Sequence, residues 1–155
     1  MNQDSGGFTW LHLPPVPTLP SAYGEALLFN PDPGAYLPHR YPFLLLDRVL
    51  ELEPGVRAVA QTTISAARAF PQVLLVESVA QLAGIVTIQQ DAGESGFLAA
   101  IDRAEFSGIP VIGDVLTITA KVIKAFGRLF MVEGEVSCGE CLLLKVQLTL
   151  GAGRL

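Results

Sequence analysis

From residue 43 onwards, the hydrophobic positions of the chain follow patterns that predict regular structure. Phe43 to Leu52 is rich in leucine and valine and predicts a buried strand. Pro54-Gly55 then predicts a turn, and the alternation over residues 57–64 predicts a second strand. One face of that strand would carry Ala58, Ala60 and Thr62.

The longest apolar stretch runs from Val73 to Gln90 and predicts a helix, because it exceeds the length of a typical strand. Pro71 is placed to open this helix at its first turn. A helix that is apolar nearly all round is expected to be buried. Its one acid, Glu77, is therefore costly unless it is paired or used in chemistry.

Four more segments have the composition of strands, and glycine, proline or aspartate residues separate them. They are 97–106, 115–126, 129–137 and 141–150. The order is two strands, one buried helix and four strands that pair as antiparallel neighbours. One helix wrapped by a curved antiparallel sheet satisfies this order, so the predicted fold class is α+β.

The first 36 residues differ from the rest because they are rich in proline, which fixes φ and removes amide donors. We expect an arm over residues 1–36, with one short helix at 21–29, and a single domain over residues 37–155. The apolar Trp10 and Leu11 suggest that the arm packs over the domain or over a neighbouring subunit.

The composition fits one domain with apolar surface to spare. The chain has 155 residues, of which 50% are hydrophobic and 16% charged, which favours a subunit interface. It has no apolar run long enough to predict a membrane span, and no basic and apolar leader, so we expect a cytoplasmic protein. The net charge of −5 without a basic stripe argues against nucleic acid as a partner.

The two cysteines, Cys138 and Cys141, have the C-x-x-C spacing of a redox pair or of half a zinc site. Zinc needs two more ligands, and the only histidines, His12 and His39, are distant in sequence. We therefore favour a hairpin that turns at Cys138-Gly139-Glu140, and we predict no metal site.

Four ordered motifs resemble one family, the 3-hydroxyacyl-acyl-carrier-protein dehydratases with the hot-dog fold. They are LPHRYPFLLLDRV at 37–49, FPQVLLVESVAQ at 70–81, AAIDRAEF at 99–106 and VIGD at 111–114. The resemblance covers residues 37–150. It implies a dimer with acyl tunnels at the subunit interface and removal of water from a 3-hydroxyacyl thioester. It also implies that no metal or soluble cofactor is used.

The resemblance also implies site residues. Glu77 matches the carboxylate that the family's central helix presents to the facing subunit, and Gln81, one helical turn later, would orient it. The residues that the resemblance assigns to substrate binding are Pro71, Gln72, Val73, Ala99 and Ala100.

The family's catalytic histidine has no counterpart here. The family carries it in a Gly-His-Phe-Pro-Gly segment between the second strand and the helix, but Ile64 to Gln72 is shorter and contains no histidine. Gln72 stands where the family has glycine. Loss of a general base typically costs a factor of about 100 to 10,000 in rate.

Other residues are poor replacements for that histidine. His39 belongs to the opening motif, away from the family's chemistry, and is interpreted as structural, and His12 lies in the arm. Ser65 and Arg68 are expected in a solvated loop. Members of the resembled family tend to carry basic residues just after the third motif, which would attract an acidic carrier protein. This chain has Ser107-Gly108 there.

Three functions therefore stay open. The chain is a degenerate dehydratase subunit that pairs with a histidine-bearing hot-dog partner, a thioesterase that uses Glu77, or a non-catalytic acyl-chain binder. The expected ligand is an acyl thioester of acyl carrier protein or coenzyme A, and the assembly is a homodimer or a heterodimer.

Overall fold

The computed structural model describes residues 29–66, 70–87 and 95–153. These residues form six strands and one helix after a short 3-10 turn at Pro33–Ala35. The elements are β1 (Arg48–Glu53), β2 (Arg57–Thr63), α1 (Leu74–Thr87), β3 (Ser95–Phe106), β4 (Val115–Phe126), β5 (Leu129–Cys138) and β6 (Cys141–Gly153). The order confirms the predicted α+β hot-dog arrangement.

All neighbouring strands of the sheet are antiparallel, and their spatial order is β1-β2-β4-β5-β6-β3. β3 follows α1 in the chain but pairs with β6, so it forms one edge of the sheet. In β2 the side chains of Ala58, Ala60 and Thr62 are buried, and the intervening residues are more exposed. The alternation predicted for this strand is therefore confirmed.

Helix α1 is buried over most of its surface, as its composition predicts. Every residue from Ser78 to Val86 is buried. The helix approaches the sheet closely at Gly134 of β5, where an added Cβ atom would lie 2.2 Å from Cγ1 of Val79. Glycine at this position therefore allows the close approach of helix and sheet.

The C-x-x-C segment forms the predicted hairpin. Cys138 and Cys141 are directly opposite each other at the junction of β5 and β6, and neither is in a disulfide. Gly139 in the turn has a φ of 56°, a left-handed conformation that glycine adopts without strain.

The strand predicted over Phe43 to Leu52 is wrong in its first half, because β1 begins only at Arg48. The preceding residues turn instead: the amides of Phe43 and Leu44 donate to the carbonyl of Arg40. Further on, the carbonyl of Phe43 and the amide of Leu45 pair with the side chain of Gln81. Leu45 and Leu46 are buried as a strand would be, but this segment needs no neighbouring strand here. The side chain of Gln81 provides the hydrogen bonds that a neighbouring strand would otherwise give to its backbone.

The helix also begins later than predicted, at Leu74 rather than Val73. Pro71 lies outside it, in a turn in which its carbonyl accepts the amide of Leu74 at 2.9 Å. The predicted end at Gln90 lies outside the described residues, and the described helix ends at Thr87.

The described part of the predicted arm, residues 29–36, contacts the domain. Phe29 and Tyr36 pack against the hydrophobic core, and the carbonyl of Pro31 accepts the amide of Val49 at 2.8 Å. The helix predicted at 21–29 and most of the arm lie outside the described residues, and the boundary at residue 36 stays a prediction. Within the described ranges, no helix has the length and apolar character needed to cross a membrane.

Candidate functional site

Glu77 lies in the first turn of α1 and is the one acidic residue of that turn. Its side chain is one-quarter exposed, at 25%. Oε1 accepts a hydrogen bond from Nε2 of Gln81 at 3.0 Å, across one turn of the helix. The predicted contact between these two residues is therefore present, while their catalytic role stays a prediction.

Gln81 itself is fixed by the segment that precedes β1. Its side chain is only 2% exposed, and Oε1 accepts the amide of Leu45 at 2.9 Å. Its Nε2 also donates to the carbonyl of Phe43 at 2.8 Å. The side-chain amide of Gln81 thus links the motif at residues 37–49 to the helix. Because it is fixed by these two backbone bonds, it also orients the carboxylate of Glu77.

His39 also lies beside Glu77, a proximity that the sequence did not predict, while its interpretation as a structural histidine stays a prediction. Its Nε2 is 4.0 Å from Oε1 of Glu77. The segment before β1 turns after Arg40, and its backbone pairs with Gln81 of the helix, next to Glu77. Its side chain is 32% exposed, and its ring contacts Phe43 with 5.8 Å between centroids.

A groove of about 620 Å³ opens over these side chains. Residues 34–40 form one wall and residues 96–98 form another, and the helix contributes Glu77, Ala80, Gln81 and Gly84. This volume is within the range of roughly 300 to 1,000 Å³ that small-molecule sites occupy. We call this cavity the Glu77 groove.

The predicted substrate-binding residues do not line the Glu77 groove. Pro71 and Val73 are exposed just before the helix, and Gln72 donates from Nε2 to the carbonyl of Gly108 at 2.7 Å. The amides of Leu74 to Val76 already pair with the carbonyls of residues 71–73. Ala99 and Ala100 are exposed on the edge strand β3. A substrate-binding role for these five residues stays a prediction.

The groove wall contributed by residues 34–40 was not predicted from the sequence. It includes Tyr36 and Arg40, and Nη1 of Arg40 donates to the carbonyls of Leu37 and His39 at 2.8 and 2.7 Å. The signal that would have found them was the opening motif itself, since Leu37 is buried in the core and brings its neighbours to the helix. No cluster of three or more potential metal ligands occurs among the described residues.

Curated proteins with similar sequences were found for most of the chain. A 3-hydroxyacyl-acyl-carrier-protein dehydratase FabZ of Ruminiclostridium cellulolyticum is 40% identical over 110 residues, covering 63% of this chain and 78% of that protein. The FabZ of Geobacillus thermodenitrificans is 34% identical over 132 residues, covering 77% and 91%. The chain belongs to this dehydratase family.

Solved structures show the same fold. A chain of the dehydratase heterocomplex ApeI:P from Xenorhabdus doucetiae matches with a TM-score of 0.69 and 21% identity, over 81% of the present chain and 93% of the solved one. A hypothetical thioesterase from Streptococcus pneumoniae, solved with coenzyme A, matches with a TM-score of 0.55 and 17% identity, over 68% and 85%. At these identities the likeness is one of fold. No family model matches the chain.

Proposed function

We propose that this chain is one subunit of a hot-dog dehydratase that removes water from a 3-hydroxyacyl thioester, with Glu77 as the proton donor. The position of Glu77 carries the proposal. Its Oε1 accepts from Gln81, and its Oε2 has no hydrogen-bond partner among the described residues. That oxygen is free to meet a substrate hydroxyl in the Glu77 groove.

The reaction needs two proton transfers. A base removes the proton from the carbon next to the thioester carbonyl, and the hydroxyl on the next carbon leaves as water once an acid protonates it. Glu77, as a carboxylic acid, gives its proton to that hydroxyl. The carbon–oxygen bond breaks, a double bond forms between the two carbons, and Glu77 is left as a carboxylate.

The base is assigned to a second hot-dog subunit that carries a histidine between its second strand and its helix. This chain has no histidine from Ile64 to Gln72, although it keeps the helix carboxylate. The edge strand β3 offers a surface for such a subunit, because all its described side chains are exposed. The neighbour from Xenorhabdus doucetiae is by name a dehydratase heterocomplex, which is the kind of assembly proposed here.

The test is hydration of a crotonyl thioester, the reverse of the proposed reaction. We would assay the chain alone, a co-encoded histidine-bearing hot-dog protein alone, and the two purified together, with coenzyme A and carrier-protein thioesters. We expect the mixed complex to be active and this chain alone to be inactive. Glu77→Gln should lower kcat of the mixed complex by a factor of about 100 to 10,000.

The matched control is Glu133→Gln, since Glu133 is exposed on β5 and outside the groove. This variant should retain activity. Release of free thiol that depends on Glu77 would instead establish the thioesterase function. Acyl-thioester binding without turnover, unchanged by Glu77→Gln, would establish the acyl-chain binder. Strong hydration by this chain alone would contradict the need for a partner.

A further inference from the structure

His39 is held in place by contacts that leave its ring facing Glu77. The ring contacts Phe43 at an interplanar angle of 42°. Its backbone is fixed on both sides, because Arg40 donates to the carbonyl of His39 and to that of Leu37. Leu37 is only 5% exposed within the hydrophobic core. The direction of the imidazole is therefore built into the fold.

The polar contacts of the ring single out Glu77. Nδ1 of His39 is buried and has no hydrogen-bond partner among the residues described. Nε2 is 4.0 Å from Oε1 of Glu77, about 1 Å longer than a hydrogen bond. Within the described part of the chain, the carboxylate of Glu77 is thus the polar group that the imidazole meets.

A distance of this size does not exclude proton exchange. Hydrogen bonds between catalytic groups are often long in the absence of substrate and shorten in the complex. Histidine is also the side chain that gains and loses a proton most readily near neutral pH. The side chain of His39 is 32% exposed, so it reaches solvent while it faces Glu77.

We propose that His39 exchanges a proton with Glu77 and so restores the carboxylic acid after each turnover. This rests on the proposed function, in which Glu77 ends dehydration as a carboxylate. Protonated His39 then passes the proton from Nε2 to Glu77, the N–H bond breaks, an O–H bond forms, and neutral His39 takes a new proton from water. The base on the second subunit returns its proton to solvent, so the cycle closes with one water released.

In this role His39 exchanges a proton with Glu77 and not with the substrate, although it also lines the groove. The partner's histidine and His39 therefore have different functions: the first removes a carbon-bound proton, and the second serves the carboxylate. In the hydration direction the same steps run backwards, and His39 removes from Glu77 the proton taken from the attacking water.

The experiment compares His39→Ala and His39→Gln in the mixed complex, assayed by hydration of a crotonyl thioester. We expect kcat to fall about 100-fold while KM changes little, because the substrate is bound normally and only proton transfer is slowed. Added imidazole should restore part of the activity of His39→Ala. In a Glu77→Gln background, His39→Ala should have no further effect, because both changes interrupt one path.

Tyr41→Phe is the matched control, since Tyr41 belongs to the same motif, is 74% exposed and does not line the groove. It should leave kcat unchanged. An unchanged kcat in both His39 variants would overturn the inference. A further loss of activity from His39→Ala in the Glu77→Gln background would also overturn it, because it would show a structural role for His39. Nitrogen resonances of the His39 ring should also shift in Glu77→Gln but not in Glu133→Gln, and no shift would contradict the contact.

Failure of the proposed function gives a different result. It would appear as absence of hydration in every wild-type assembly, or as full activity of Glu77→Gln, before His39 is changed. Either outcome would remove this inference together with the function on which it rests. Normal dependence on Glu77 with no dependence on His39 would remove this inference alone.

Discussion

Gln81 donates a hydrogen bond to Glu77 at 3.0 Å, and the same side-chain amide pairs with the backbone of the segment before β1. The candidate proton donor is therefore not an isolated acid in an apolar helix. One amide group holds the acid, the start of the domain and the helix together. Gln81 should consequently matter for folding as well as for the orientation of Glu77.

Gln81→Leu is predicted to destabilise the protein. The substitution keeps a similar size but leaves the carbonyl of Phe43 and the amide of Leu45 without partners. An unpaired buried group costs about 1 to 3 kcal/mol, and the bond to the carbonyl of Phe43 is only partly buried, so we expect a loss of about 2 to 4 kcal/mol in the free energy of unfolding. Urea denaturation measures this loss.

Gln147→Leu provides the comparison for Gln81→Leu. Gln147 is half-buried on β6, and among the described residues its side chain donates only to the sulfur of Met131, a weak acceptor. We expect its replacement to change the free energy of unfolding by less than about 1 kcal/mol. Equal losses in the two variants would show that the link between Gln81 and the segment before β1 is not special.

Gly134→Ala is predicted to force the helix away from the sheet. The added methyl would lie 2.2 Å from Cγ1 of Val79 and 2.9 Å from the carbonyl oxygen of Thr119. Overpacking of this kind costs about 1 to 3 kcal/mol, which thermal or urea unfolding can detect. Val79→Ala removes the nearer obstacle, so the double variant should be more stable than the sum of the single losses predicts. Simple additivity would argue that the close approach is relieved in another way.

Hydrophobic patterns within a single strand or helix predicted the fold well. The sequence did not predict the contacts between segments that are distant along the chain. Strand β4 has its predicted limits, Val115 and Phe126, because alternation and turn residues are local signals. The segment at residues 43–47 was assigned to a strand because its burial is real, but its backbone pairs with Gln81, 36 residues or more along the chain. The position of His39 depends on the turn in which the amides of residues 43 and 44 donate to the carbonyl of Arg40. No periodicity in the sequence predicts that turn.

Cys138 is predicted to react slowly with alkylating reagents. Burial raises the pKa of its thiol, and the neighbouring carboxylate of Asp114 raises it further. A higher pKa leaves less thiolate at a given pH, and the thiolate is the reactive form. In a Cys141→Ser background, iodoacetamide should therefore modify Cys138 more slowly than free cysteine at mildly alkaline pH.

Asp114→Asn should accelerate this modification, because it removes the negative charge while an amide oxygen can still accept from the amide of Val111. Mass spectrometry of the alkylated peptide gives both rates in the same background. If Asp114→Asn reacts no faster than its parent, the carboxylate does not control the thiol. The matched control is Asp102→Asn, whose carboxylate instead accepts from Thr149.

The edge strand β3 is predicted to be covered by a second subunit. Among the described strands it pairs only with β6, and its exposed side chains include Phe97, Leu98, Ile101 and Phe106. An exposed apolar edge promotes aggregation unless a partner covers it. Ile101→Lys places a charge at this edge, where the side chain is 50% exposed, and should weaken the dimer about tenfold or more in Kd. Sedimentation velocity over a range of concentrations measures the change, for this chain alone and with a histidine-bearing partner.

Ile123→Lys makes the same substitution at an apolar residue of β4 that is 39% exposed and lies away from the edge, so it should leave the assembly intact. Dissociation by Ile123→Lys but not by Ile101→Lys would place the subunit interface on the other part of the sheet.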